Sequence, residues 1–83
     1  MATEEKVTSV ADLKPGQKGT VIKVNRSGAL AKRLAEMGVG RGAVIEFERV
    51  APLGDPIDIK IKGYHLSLRK NEAADILISD VKY

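Results

Sequence analysis

Apolar residues recur along this chain with two periods, and the change from one to the other marks its elements. Leu30, Leu34 and Met37 fall at i, i+4 and i+7, a single stripe of an amphipathic helix. Ser27 precedes that stripe as an N-cap, and Gly38 follows it at C′, where a left-handed backbone suits glycine. From Ala43 onward the period is two. Ile45 and Phe47 alternate with Glu46 and Glu48, and Ile57, Ile59 and Ile61 with Asp58, Lys60 and Lys62. Tyr64, Leu66 and Leu68 then alternate with His65, Ser67 and Arg69, so these are half-buried strands. A two-residue Gly63-Tyr64 turn is expected between the second and third of them. It places Ile61 opposite Leu66, Ile59 opposite Leu68 and Asp58 opposite Arg69. Between the first two strands the expected register sets Glu48 against Lys60, Glu46 against Lys62 and Phe47 against Ile61.

The segments around this meander are shorter. Ser9-Val10-Ala11-Asp12 has the spacing of a one-turn helical cap, Leu13 follows as a core anchor, and Pro15-Gly16 marks a turn. Gln17 to Val24 reads as a strand in which Gly19 signals a bulge or a close backbone approach. Lys70 to Asp75 has the composition of one helical turn, and Ile76-Leu77-Ile78 of a short last strand. The expectation is a mainly β fold: a small five-stranded barrel with one inserted α-helix, whose closure removes exposed edges. Residues 1–8 are expected to be a flexible N-terminus and residues 9–83 a single domain. An exposed last strand at Ile76 to Ser79 would leave room for weak homo-oligomerisation by edge pairing.

Composition narrows the function classes. The 83 residues suffice for one domain with a thin core. The sequence contains no cysteine, which excludes disulfides, thiolate metal sites and a thiol nucleophile. Apolar runs reach only three residues against the ~20 a membrane span needs, and no signal peptide is recognisable, so a cytoplasmic protein is expected. The net charge of +3 divides as +4 over residues 1–42 (eight basic, four acidic) and −1 over residues 43–83 (six basic, seven acidic). Lys14, Lys18, Lys23, Arg26, Lys32, Arg33 and Arg41 could give that first half phosphate contacts. Gly16-Gln17-Lys18-Gly19-Thr20-Val21 also resembles the first strand of barrels in ribosomal and transcription proteins. RNA or a ribosomal or transcription partner is therefore the alternative reading. With Phe47, Tyr64 and Tyr83 as the sole aromatics, stacking platforms are scarce, and no nucleic-acid partner is expected.

Catalytic chemistry finds no constellation. His65 is the single histidine and has no second imidazole or thiolate to complete a zinc site, so it reads as a paired or solvated residue on an outer strand face. Glu46, Glu48, Asp55 and Asp58 are oxygen donors for a hard cation. The expected register gives the first, second and last of these basic partners and leaves Asp55 as a turn-former. Pro15 to Thr20 lacks the spacing and the following helix of a phosphate loop. The serines lack a nucleophile elbow. No catalytic residue, metal ligand or cofactor is assigned, and an enzyme is not expected. What remains is surface: Ala51-Pro52-Leu53-Gly54-Asp55-Pro56 carries a leucine at the tip of a proline-stiffened loop, and Arg33 flanks the apolar stripe of the helix.

Four blocks in this order resemble the ferrous iron transport protein A (FeoA) family. They are Leu13-Lys14-Pro15-Gly16-Gln17-Lys18-Gly19 with Val21; Arg33-Leu34-Ala35-Glu36-Met37-Gly38 with Gly42; Pro52-Leu53-Gly54-Asp55-Pro56; and Leu68-Arg69-Lys70-Asn71-Glu72-Ala73. The resemblance implies an SH3-like β-barrel in the cytosol, accessory to ferrous iron uptake. It implies contact with the membrane transporter that carries a G-protein-like GTPase domain (FeoB), without membrane insertion of its own. By analogy of fold, the partner-binding positions are expected at Arg33, Met37, Leu53 and Asp55.

Overall fold

A computed structural model describes residues 7–25 and 28–83. Six strands form one antiparallel sheet in the order β1-β6-β2-β3-β4-β5: β1 Thr8–Ser9, β2 Lys18–Val24, β3 Val44–Val50, β4 Ile57–Ile61, β5 Tyr64–Leu68 and β6 Ile76–Lys82. Helix α1 (Ala29–Glu36) is inserted between β2 and β3, and the four-residue α2 (Lys70–Ala73) between β5 and β6. A single 3₁₀ turn, Val10–Asp12, follows β1, and Asp12 Oδ2 accepts hydrogen bonds from Thr8 Oγ1 (3.0 Å) and Ser9 Oγ (3.2 Å). The mainly β class with one inserted helix is as expected, but there are six strands rather than five. No ladder joins β5 to β1, so hydrogen bonding does not close the barrel. The sheet curls instead until α2 rests on the 3₁₀ turn, and Val10 and Ala73 are both fully buried at that seam.

The core shows why the alternation had to be obeyed. Ile57, Ile59 and Ile61 of β4 are each at most 2% exposed, and Ile45, Phe47, Leu66 and Leu68 flank them. A one-residue slip of β4 would turn all three isoleucines to water. At roughly 1.5–3 kcal/mol per buried side chain that is on the order of 5–9 kcal/mol, comparable to the whole stability of a small domain. Gly19 sits at an irregularity in the β2–β6 ladder, where a Cβ would lie 2.7 Å from Ile78 Cδ1, so bulge and close approach are both present. Helix α1 ends as its sequence predicts. Gly38 (φ 77°) follows Met37, its N–H donates to the Ala35 carbonyl (3.0 Å), and the Val39 N–H donates to the Leu34 carbonyl (2.8 Å). With Val39 and Leu34 both buried, this is a Schellman motif with its hydrophobic contact. The expected Ser27 cap lies outside the described residues.

Three expectations need correcting. The β4–β5 turn is Lys62-Gly63, not Gly63-Tyr64; both residues have positive φ (50° and 83°), as in a type I′ turn whose twist matches the flanking strands. The partners therefore move by two: Ile61 faces Tyr64, Ile59 faces Leu66, and Ile57 gains Leu68. Between β3 and β4 the pairs are Ile45–Ile61, Glu46–Lys60 and Phe47–Ile59, after which a bulge brings Arg49 opposite Asp58. Parity is preserved in both cases, so the same residues face the core. Last, Ile76 to Ser79 is no edge, because Leu77 and Ile78 pair with β1 on one side and β2 on the other.

Candidate functional site

A cluster of polar side chains lies on the outer face of β3, β4 and β5, and the bulge brings Arg49 into it. One extra residue at Glu48 sends both Glu48 and Arg49 toward the outer face, where strict alternation would have turned Arg49 inward. Arg49 Nε–H donates to Asp58 Oδ2 (2.9 Å), and Ser67 Oγ–H donates to Asp58 Oδ1 (2.6 Å). These two bonds, the Ser67 hydroxyl foremost, hold the Asp58 carboxyl below its ordinary value of 3.8 against a smaller opposing effect of desolvation. Beside them His65 Nδ1 lies 2.9 Å from Glu48 Oε1; with the carboxylate ionised, the ring donates. Asp58 therefore finds its partners in Arg49 and Ser67 rather than in Arg69, and His65 is a paired residue on an outer strand face. Both Asp58 oxygens and Glu48 Oε1 are engaged in these contacts, and the cluster ties three strands together. Among the described residues no three His, Asp or Glu side chains are grouped to hold a metal ion.

The four expected contact residues fall into two groups. Arg33 is exposed on α1 and Met37 is half-buried at its end, beside the β4–β5 turn, where Lys62 Nζ donates to the Gly38 carbonyl (3.1 Å). Leu53 and Asp55 lie in the β3–β4 loop at the opposite end of the five-residue β4, about 15 Å of strand away. The loop and the helix corner, both singled out in the sequence, are thus two separate patches.

Of the two, the loop is the better-formed. Gly54 N–H donates to the Ala51 carbonyl (2.8 Å), and Ala51 N–H to the Pro56 carbonyl (3.0 Å). Gly54 supplies the left-handed residue (φ 90°) that closes such a turn. Leu53 at its tip is 96% exposed, with Pro52 and Pro56 also exposed beside it. Asp55 does more than form the turn, because its Oδ1 accepts the N–H of Lys70 (2.9 Å) and anchors the loop to the start of α2. Glu72 Oε1 takes the neighbouring Arg69 N–H (2.8 Å), so both ends of this anchor are satisfied. Sequence reasoning missed the anchor. Its one signal is that Arg69, a poor N-cap, precedes α2 and leaves backbone donors needing an acceptor from elsewhere. A shallow depression lined by Ala11, Asp55, Arg69, Lys70, Asn71 and Ala74 continues from the loop toward the 3₁₀ turn.

Comparison with known proteins places this architecture. A model of the FeoA domain matches residues 8–80, a span that includes the Gly16–Val21 run. An Fe(2+) transport protein A/Fe(2+) transporter FeoB fusion protein of Porphyromonas gingivalis is 36% identical over 67 residues, which are 81% of this chain and 8% of that protein's length. The solution structure of a FeoA-like protein from Clostridium acetobutylicum shares 35% identity with a TM-score of 0.79, over 94% of this chain and 92% of that one. The zinc-complexed FeoA of Stenotrophomonas maltophilia, described as a prokaryotic SH3 domain protein, superposes with a TM-score of 0.73 at 23% identity, over 84% and 87% of the two chains. At that identity the likeness speaks for the fold, and it assigns the curled sheet to the SH3-like class. Among the described residues no helix is long and apolar enough to cross a membrane.

Proposed function

The chain belongs to the FeoA domain family, associated with ferrous iron transport, and from that premise we propose that it is a cytosolic accessory module that acts by docking on a FeoB-type ferrous iron transporter. One observation carries this reading: in the Porphyromonas gingivalis relative, a segment similar to this chain and a transporter are joined in one polypeptide, where each is held at high effective concentration to the other. The chain spans only 8% of that relative, so transport itself belongs to the remainder, and the module's part is contact.

Leu53 is the docking residue best supported by its setting. A leucine 96% exposed contributes almost nothing to folding, and a loop fixed by two internal hydrogen bonds and the Asp55 anchor loses little entropy when it binds. Arg33 and Met37 mark the second patch. The test is a titration of the ¹⁵N-labelled domain with the cytosolic GTPase domain of a FeoB-type transporter, in its GDP and GTP-analogue states. Leu53→Ala is expected to weaken binding at least about fivefold, ~1 kcal/mol, with the melting temperature unchanged. Loss confined to Arg33→Ala would move the interface to the helix end. Unchanged binding in both variants would reject both patches.

A further inference from the structure

Because the sheet is open, β5 keeps, among the described residues, one edge without a ladder partner. Tyr64 and Ile61 flank a two-residue turn and form the narrow hydrogen-bonded pair. By alternation Leu66 and Leu68 also bond to β4, while the N–H and C=O groups of His65 and Ser67 point away from the sheet. Among the described residues none of the backbone bonds outside the ladders involves Tyr64–Leu68. Edge strands are ordinarily blunted by lysine, proline, a bulge or extreme shortness. β5 has five residues, none of them Lys, Arg, Asp, Glu or Pro, and its register with β4 is unbroken. The other edge, β1, is only two residues long.

We propose that the free edge of β5 is a self-association site, at which a second copy of this chain adds its own β5 antiparallel about a two-fold axis through Leu66. That register alone lets both outward-facing residues pair fully within the strand: His65 meets Ser67 of the second copy, and Ser67 meets its His65, giving four backbone hydrogen bonds. Leu66 packs on its own symmetry mate. Tyr64, 52% exposed in the single chain, stands opposite Leu68 of the other, which is already buried within its own chain. The strand reads apolar-polar-apolar-polar-apolar from either end, so the two faces stay matched across the seam. With a net charge of +3 per chain, two copies repel, and an uncharged strand is where they can approach most closely. A five-residue seam buries far less than the ~800 Å² per partner of a stable interface, so association becomes visible only near ~1 mM protein. This inference is independent of docking on a transporter.

The test is amide hydrogen exchange by NMR on the 83-residue chain, at about 20 µM and about 1 mM. The expected result is a slowing of about twofold at the higher concentration, confined to the His65 and Ser67 amides, with intermolecular contacts from Leu66 to itself in a mixed-label sample. His65→Pro removes an outward N–H without removing a ladder bond and is expected to abolish the slowing. His65→Lys keeps the N–H, can keep an ion pair to Glu48, and brings a charge to the seam; it is expected to weaken association severalfold. Exchange at both amides independent of concentration would overturn the proposal. So would a dimer whose shifts map to β1 or to the Leu53 loop. Protection that appears only when a transporter domain is added would assign the edge to a different strand donor and equally reject self-pairing.

Discussion

Gly19→Ala isolates one contact that this sheet requires. An ideal Cβ at position 19 lies 2.7 Å from Ile78 Cδ1, 3.2 Å from its Cβ and 3.3 Å from its Cγ1. The Cδ1 methyl ends a rotatable bond and can turn aside; Cβ is fixed to the β6 backbone, and Ile78 is fully buried with no space to retreat into. Overpacking of this kind costs about 1–3 kcal/mol. Alanine recovers about 0.4–1 kcal/mol by restricting the unfolded chain, which leaves a net destabilisation of up to about 2.6 kcal/mol, centred near 1. At roughly 4–8 °C per kcal/mol for a domain of this size, the melting temperature should fall visibly. With no tryptophan, far-UV circular dichroism in urea is the probe of choice. Ile78→Val supplies the control. Alone it should cost about 0.5–1.5 kcal/mol, but with Gly19→Ala it removes the 2.7 Å clash, so the double variant should be about 0.5–1 kcal/mol more stable than the sum of the singles predicts. A stabilising Gly19→Ala, or strict additivity of the pair, would refute the close-approach argument.

Two other predictions follow from the outer face and the loop anchor. The Asp58 carboxyl titrates below 3.8 when folded, so it adds stability that is fully present above that value and is lost as pH falls through the lower folded value. Asp58→Asn should therefore flatten the acid limb of a melting-temperature profile below about pH 4, and Ser67→Ala should reduce the same limb in part; an unchanged profile in both would reject the assignment. Asp55→Ala should destabilise the domain by about 0.5–1 kcal/mol and speed amide exchange at Lys70, whereas Asp55→Asn, which keeps the acceptor and drops the charge, should spare both. If Asp55→Asn instead weakens docking on a transporter at full stability, its charge contacts the partner as well as anchoring the loop.

The contrast between what could and could not be read in advance is physical. Strands β3 to β5 were legible because each buries one face, which forces period two. The end of α1 was legible because only the Gly38 position needs a left-handed backbone there. The β4–β5 turn was not, because a Gly-first turn and a turn centred on Lys62-Gly63 leave the same residues facing inward. What separates them is the Ile57–Leu68 pair, formed several residues away. The bulge at Glu48 has no local signature either, and it is what moves Arg49 outward to face Asp58. β1 has only two residues and no periodicity to detect. β6 runs on to Lys82 through the buried Ser79 and the charged Asp80, so its length comes from pairing with β2 rather than from its own pattern.

Docking and self-pairing use different parts of one hairpin system, and their geometry determines how they interact. The Leu53 loop lies at the β4 end where Ile57 meets Leu68, whereas the proposed two-fold axis passes through Leu66 at the middle of β5. Antiparallel pairing about that axis sends the two Leu53 tips to opposite ends of the paired molecule. One partner protein cannot then engage both tips, and neither tip is buried by the seam. Self-pairing should therefore give no avidity for a single transporter and no competition with it, because bivalency requires that both sites be reachable at once. If both readings hold, the affinity for a transporter domain will be the same in dilute and concentrated solution, and His65→Pro will leave it unchanged. A dependence on protein concentration would mean that the two surfaces overlap, and the docking site would then have to be moved from the Leu53 tip toward the β5 edge.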